Sequence, residues 1–388
     1  MQPDVSLQGN GDWFDRILES AITQKASDIH IEPTEENISV RFRIDGSLKL
    51  FEELPLGTHD VIVSRVKVLS ELDITNHRFP QDGHIQFRFG LQTYSMRIST
   101  TPTQFGETIV IRILNREDML TNIEAIGFDN IQLEIIKQLI QTPNGLILAT
   151  GPTSSGKSSL IYSLLNILNT KDRNLVTVED PVELNMKHIN QSQVNEKIGL
   201  DYIVLLRSIL RQDPDIIMVG EIRDKETLQI TIQAALSGVL VLSTFHSFDV
   251  PSLVTRLTEL GITRSVTAQS IRCVISTRLL RKICISCTQI YVPTEIETKF
   301  LGNDYKGYPF KKGKGCNLCS GTGYLGRMGV FEIVPFNYEI KSFIIDNQPL
   351  LSFYELLNKK VGSLKHSAIQ KAVDGKTTIE EVIRKIGF

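Results

Sequence analysis

No charge of one sign dominates this sequence. Its 388 residues carry 42 lysines and arginines against 44 aspartates and glutamates, a net charge of −2 with histidine neutral. That balance is neither the basic footprint of a nucleic-acid binder nor an acidic tail. Long apolar runs are missing too. None approaches the roughly 18–20 residues that cross a bilayer, and Met1-Gln2-Pro3-Asp4 begins neither a basic nor an apolar leader. Cysteine is sparse. The five, Cys273, Cys284, Cys287, Cys316 and Cys319, all lie in the last third, whereas a disulfide scaffold needs a denser set in a shorter chain. There is no internal repeat and no low-complexity tract. What remains is an ordinary globular composition, 41% hydrophobic and 22% charged, in a chain long enough for two or three domains at roughly 150 residues each. Such a chain builds sizeable cores without crosslinks. The expected setting is soluble and cytoplasmic.

The patterning divides the chain. Residues 1–11 are polar and read as a loose terminus. Asp12 then caps a face of Trp13, Phe14, Ile17, Leu18, Ala21 and Ile22 at helical spacing. Ile38, Val40, Phe42 and Ile44 alternate with polar residues and end at Asp45-Gly46, a strand entering a tight hairpin. A helical stretch (58–72) and strand-like runs at 84–89, 91–98 and 108–114 complete an α+β domain over 12–115. Residues 116–130 read as a linker, followed by a short helix to about Ile140. From Gly145 onward, short unbroken apolar runs (Leu146–Ala149, Leu175–Val178, Ile216–Val219, Val239–Leu242) alternate with helical stretches. Strands buried on both faces of a parallel sheet look like this. The second domain spans 131–388, with a cysteine module at 280–325 and a helical carboxyl-terminal region at 330–388.

Gly151-Pro152-Thr153-Ser154-Ser155-Gly156-Lys157-Ser158 matches G-x-x-x-x-G-K-[ST] between an apolar strand and a helix beginning near Ser159. Its glycines let backbone N–H groups turn onto phosphates at a helix N-terminus. Lys157 is placed to reach the β- and γ-phosphates of ATP, and the Ser158 hydroxyl to ligate Mg²⁺. Hydrolysis needs a further acid. Glu221 follows the apolar run Ile216–Val219, and Glu179-Asp180-Pro181-Val182-Glu183 follows Leu175–Val178, so both clusters fall at the strand ends where ligands sit in α/β sheets. Helix caps or solvated loop acids are the alternative reading of each.

Cys284-x-x-Cys287 and Cys316-x-x-Cys319 are separated by 28 residues. Four thiolates at such spacing close a tetrahedron around Zn²⁺ and leave no open position, so the site is read as structural. A redox pair or free thiols is the alternative. Cys273 sits in an apolar-periodic stretch and reads as a core residue. Lysines and arginines cluster near the module, but stacking aromatics are not interleaved with them. Nucleic acid is therefore not expected as a ligand, and the cluster reads as a solvated face or a docking surface for an acidic partner.

Taken together, Ala26-Ser27-Asp28-Ile29-His30-Ile31-Glu32-Pro33, Pro80-Gln81-Asp82-Gly83, the phosphate loop, Glu179–Glu183, Leu210-Arg211-Gln212-Asp213-Pro214-Asp215, Gly220-Glu221-Ile222-Arg223-Asp224 and Ser243-Thr244-Phe245-His246 resemble the ATPases of type II secretion and type IV pilus assembly. The resemblance implies an α/β fold: a RecA-like P-loop ATPase domain, a smaller amino-terminal α+β (PAS-like) domain and a tetracysteine zinc module. It implies a homohexamer that works through a polytopic inner-membrane platform protein, with no direct membrane insertion. Glu183 matches the water-activating carboxylate and Glu221 the Walker B glutamate. Arg97 and Arg112 match arginines that reach the phosphates, Arg207 and Arg211 further basic residues, and His246 the histidine box. On its strand Arg97 shares the face of Thr93 and Ser95, where a solvated charge is the ordinary reading. The tetracysteine module favours secretion or extension over retraction.

Two departures stand out. The family's second histidine is replaced by Val239, after Gly238. Only 25 residues precede Ala26, so the amino-terminal docking domain of many members is expected to be missing. Two other functions share these motifs: a nucleotide-gated ring scaffold with little turnover, and a RecA-like nucleic-acid translocase.

Overall fold

The structure, a computed structural model, describes residues 12–114, 122–302, 305, 307–360 and 362–387. The terminus expected to be loose (1–11) and the first part of the expected linker lie outside them. The chain divides into two compact units, Met1–Arg116 and Glu117–Phe388.

The first unit contains α1 (Asp12–Thr23), β1 (Ala26–Pro33), β2 (Asn37–Ile44), β3 (Ser47–Pro55), α2 (His59–Leu69), β4 (Gln81–Phe89), β5 (Gln92–Thr103) and β6 (Gly106–Leu114). The six strands form one antiparallel sheet in the order β3-β2-β1-β6-β5-β4. Alternation sends Ile29, Ile31, Val40, Phe42, Met96, Ile98, Ile109 and Ile111 into one core with Phe14, Ile17 and Leu18 of α1 and Ile62, Val63 and Val66 of α2. The other face is polar. Strand register aligns Arg43, Asp28, Arg112, Arg97 and His84 in a single row across five strands. The β2–β3 hairpin turns through Asp45 (φ 50°) and Gly46 (φ 80°), the left-handed pair that a two-residue hairpin requires.

The second unit runs through α3 (Asn130–Leu139), β7 (Gly145–Thr150), α4 (Lys157–Leu168), β8 (Leu175–Glu179), β9 (Asn190–Gln193), α5 (Tyr202–Ile209), β10 (Ile216–Val219), α6 (Lys225–Leu236), β11 (Leu240–Phe245), α7 (Val250–Glu259), α8 (Arg264–Ser270) and β12 (Ile271–Ile283). There follow β13 (Thr288–Tyr291), α9 (Glu295–Leu301), β14 (Phe310–Gly313), β15 (Tyr324–Pro335), α10 (Tyr338–Ile345), α11 (Leu350–Lys360), α12 (Leu364–Val373) and α13 (Ile379–Ile386). The main sheet has the order β15-β12-β7-β11-β10-β8-β9. Every residue of β7, β8, β10 and β11 is buried. These strands are neighbours in parallel pairs, and a hydrophobic cluster lies on each face. That double burial is why their sequences are unbroken apolar runs.

The region 330–388 is not uniformly helical. Val330–Pro335 completes the twelve-residue strand β15, antiparallel to β12 from Cys273↔Pro335 to Ile283↔Tyr324. Apolar Val330, Phe331, Ile333 and Val334 are packed on both sides of the sheet, so their sequence shows no clean alternation. The run expected at Val239–Leu242 begins at Leu240 and extends to Phe245, placing His246 just beyond a strand end. Cys273 is fully buried in the sheet core.

Candidate functional site

The loop between β7 and α4 is bent by left-handed backbone at Gly151 (φ 147°), Ser154 (φ 59°) and Gly156 (φ 94°). Gly151 has no room for a side chain: a Cβ there would stand 2.6 Å from both the Thr277 carbonyl oxygen and Ser155 Oγ. Gly156 caps α4. Thr277 Oγ1 of β12 donates to the Ser155 carbonyl at 3.0 Å and pins the loop to the sheet. Ser155 Oγ is buried and has no hydrogen-bond partner among the described residues. Pro152, Thr153 and Ser154 are exposed, and Ser158 and Ser159 are half-buried. Lys157 is 9% exposed, and its ammonium donates to the carbonyls of Gly151 (2.8 Å) and Pro152 (2.9 Å). Burial lowers its pKa; the Glu221 carboxylate opposes that and the Arg278 guanidinium adds to it. Such a turn at a helix N-terminus, with a buried cation facing carbonyls rather than a carboxylate, can hold a polyanion.

Two hydroxyls of β11 fix the neighbouring edge. Ser243 Oγ donates to the Val219 carbonyl (2.7 Å) and Thr244 Oγ1 to that of Gly220 (2.8 Å). Glu221 and His246 therefore emerge side by side, His246 Nε2 lying 3.5 Å from a Glu221 carboxylate oxygen. Glu221 is also paired with Arg223, whose other amino group stands 3.7 Å from Asp180. The acids after β8 divide. Glu179 is buried and accepts from the hydroxyls of Tyr162 and Thr177 and from the Gln191 amide. Burial, followed by the Glu179 charge, raises the pKa of Tyr162. Glu179 is thus held within the fold, while Asp180 and Glu183 are partly solvent-facing.

The four arginines separate. Arg207 and Arg211 lie on α5 and just beyond it. Both are exposed, and Arg211 donates to the Arg207 carbonyl at 2.7 Å. Among the described hydrogen bonds and ion pairs, neither touches the phosphate loop. In the first unit Arg112 Nε donates to Asp28 at 2.9 Å, and Arg43 approaches the same carboxylate at 3.6 Å. Arg97, half-buried beside Arg112, has an amino group that is buried and without a partner among the described residues. Arg223, Arg278 and Thr277 are not among the site residues expected from the sequence, where Arg278 belongs to the basic cluster near the cysteines. Arg223, two residues past Glu221, carried a usable signal; Thr277 contacts the loop only through tertiary packing, and Arg278 acts on Lys157 through its charge.

Cys284, Cys287, Cys316 and Cys319 converge with all four sulfurs within 4.8 Å of one another, and adjacent sulfurs are 3.7–3.8 Å apart. The donor set fits zinc. No disulfide joins these sulfurs, and Cys319 Sγ accepts from the N–H groups of Cys316 and Gly323, both at 3.2 Å. Burial opposes ionisation of Cys319, but those N–H groups and the neighbouring thiols of Cys316 and Cys287 together outweigh it and bring the thiol down to about 6. Zinc bound by such thiolates braces a fold.

Residues 11–384 match the family described as Type II/IV secretion system protein. The chain belongs to that family. It is 40% identical over 374 residues to the type IV pilus assembly ATPase PilB of Thermus thermophilus, covering 95% of this chain and 42% of that protein. It is 39% identical over 369 residues to the type II secretion system protein E of Aeromonas hydrophila, covering 95% and 74% respectively. The chain thus spans about two fifths of the first relative and three quarters of the second. Its fold matches the crystal structure of the pilus retraction motor PilT with bound ADP, at a TM-score of 0.63 and 26% identity over 95% of this chain and 96% of that one. Among the described residues, no helix is long and apolar enough to cross a membrane.

Proposed function

We propose that the chain hydrolyses ATP with Mg²⁺ and that the cycle powers assembly of a type IV pilus or a type II secretion pseudopilus. The observation that carries this is Lys157, a buried cation whose ammonium faces the carbonyls of Gly151 and Pro152 at the mouth of α4. Phosphate oxygens would replace those carbonyls as its acceptors. The backbone of residues 151–156 wraps the phosphates, and Ser159 extends the first turn of α4 beneath them. Mg²⁺ would be held through the Ser158 hydroxyl and would supply charge neutralisation on the β- and γ-oxygens. Glu183 orients the attacking water and takes its proton. Glu221, steadied by Arg223 and His246, sets the polarity of the same edge.

Arg97 and Arg112 belong to the other unit. In this reading they match arginines that reach the phosphates, and Arg207 and Arg211 match further basic residues near the site. The amino group of Arg97, unpaired among the described residues, supports an anionic ligand on that face of the first unit. The first unit (12–115) is read as PAS-like and the second (131–388) as RecA-like, joined by 116–130. The active form is a homohexamer in the cytoplasm, held at the inner membrane by a polytopic platform protein. Zn²⁺ in the four-cysteine site is structural.

The test is phosphate release by the purified chain beside its Lys157→Ala variant. The variant is expected to keep its circular dichroism and lose turnover; undiminished release would sink the assignment. Val239, in place of the family's histidine, favours a second reading in which ATP shapes a ring with little turnover. Tight ATP binding with no phosphate release would select it.

A further inference from the structure

We propose that the tetracysteine module is a docking surface for an acidic, aliphatic segment of a partner protein. The charge pattern is the first observation. Residues 281–294 and 305–331 contain seven lysines and arginines and no aspartate or glutamate. The whole chain holds 44 acids against 42 bases, so this segregation is local. Arg281 is already neutralised by buried Glu381, at 2.7 Å. Lys282, Lys312 and Lys314 are exposed, and among the described residues no carboxylate lies within ion-pair distance of them. An unbalanced basic surface attracts a partner of opposite sign.

Exposed aliphatic side chains held by a rigid frame are the second observation. Ile285 lies inside one C-x-x-C loop and is 85% exposed; Leu318 lies inside the other and is 58% exposed. The two loops are locked together beyond their sulfurs. Cys284 N–H donates to the Gly323 carbonyl (2.9 Å) and Lys314 N–H to that of Cys287 (3.0 Å). A Cβ at Gly313 would fall 2.1 Å from the Gly323 carbonyl oxygen, so backbone lies directly on backbone. Side chains on such a frame lose little entropy when covered, which suits them as anchors. Ile290 of β13, 68% exposed, extends the aliphatic surface.

The aromatic side chains decide between kinds of partner. Phe310 is buried. The Tyr291 hydroxyl donates to Glu297 (2.9 Å), and the Tyr324 hydroxyl bonds Thr378 (2.6 Å). Lys312 lies 5.0 Å over the Tyr291 ring. These rings are engaged within the protein. Membrane interfaces are anchored by outward Trp and Tyr, and single-stranded nucleic acid needs exposed stacking rings. Lysines around aliphatic anchors instead match a polypeptide in which Asp or Glu alternates with Leu, Ile or Val.

The test uses the full chain in its native host, with a photo-cross-linkable residue at position 285 or 318. Irradiation is expected to join it to a segment of another protein that carries net negative charge. The combined Lys282→Glu, Lys312→Glu and Lys314→Glu changes are expected to lower that adduct about tenfold, with zinc content and ATP turnover unchanged. Turnover is read separately, so failure of the docking surface and failure of the ATPase reading are distinct results. Adducts only to lipid, to nucleic acid or to a second copy of the chain overturn the proposal. So does an adduct indifferent to charge reversal, or none at all.

Discussion

The imidazole of His246 and the carboxylate of Glu221 stand 3.5 Å apart at the ends of adjacent strands. The hydroxyls of Ser243 and Thr244 keep them there by stitching β11 to the end of β10. Glu221→Gln preserves the shape of this edge and removes its charge. It is expected to leave ATP affinity within a few-fold and to lower turnover by roughly 10²-fold or more. A fluorescent nucleotide titration run beside steady-state phosphate release separates the two quantities. If affinity and turnover fall together, Glu221 acts in binding rather than at the chemical step.

Lys157 costs the nucleotide-free protein stability, because its ammonium is buried with carbonyls alone as acceptors. Its pKa is held below that of an ordinary lysine, first by burial. The folded state therefore binds fewer protons than the unfolded state between that lowered value and about 10.4, and stability rises with pH across the interval. Phosphates reverse the preference by favouring the charged form. ATP affinity is expected to weaken as pH rises through the lowered value. Lys157→Met is expected to melt no lower than the parent without nucleotide and to lose the upward shift that ATP gives the parent. A variant that still gains in melting temperature with ATP contradicts this.

Much of this layout is legible in the sequence. The four buried strands read as apolar runs because both their faces are covered. The phosphate loop reads directly because its chemistry is local: a bend, a helix start and one lysine. β15 was obscured. Its Gly326 and Gly329 interrupt the pattern, and Val330–Val334 packs on both faces, so the tail reads as mostly helical. Thr277 and Arg278 were invisible for another reason. They lie more than a hundred residues beyond the loop and are brought near it by the β7–β12 pairing, which leaves no spacing to read. Glu179 and Glu183 look alike as letters in one acidic box. The partners of Glu179, Tyr162 and Gln191, are what hold it within the fold.

β12 joins the phosphate loop to the metal site. Thr277 contacts Ser155 at one point along the strand, and Cys284 follows the end of the strand directly. Zinc content is expected to be close to one per chain when the protein is prepared without chelator. Cys287→Ser and Cys316→Ser are expected to lose the metal and to lower the melting temperature, by ~2–4 °C for each kcal/mol lost in a domain of this size class. Metal analysis and calorimetry on the same samples check it. Far less than one zinc in the parent refutes the assignment.

Glu332 offers a pH test independent of nucleotide and metal. Burial pushes its carboxyl up to about 7, and the nearby Asp249 adds to that, while a Ser276 hydrogen bond and Arg278 act the other way. Asp249 itself caps α7 and accepts from the Tyr354 hydroxyl at 2.8 Å, so it is held in place beside Glu332. In the unfolded chain Glu332 titrates near 4.3. Between that value and about 7 the folded state carries the extra proton, so stability falls as pH rises across the window. Above it the penalty is fully present, with an upper bound of about 4 kcal/mol. Glu332→Gln keeps a hydrogen-bonding amide beside Ser276 and removes the charge. It is expected to stabilise the protein at pH 8 by about 1–3 kcal/mol and to come close to the parent near pH 4. Urea unfolding at both values measures the difference; equal stabilities at pH 8 would show that the carboxylate is not penalised in the fold.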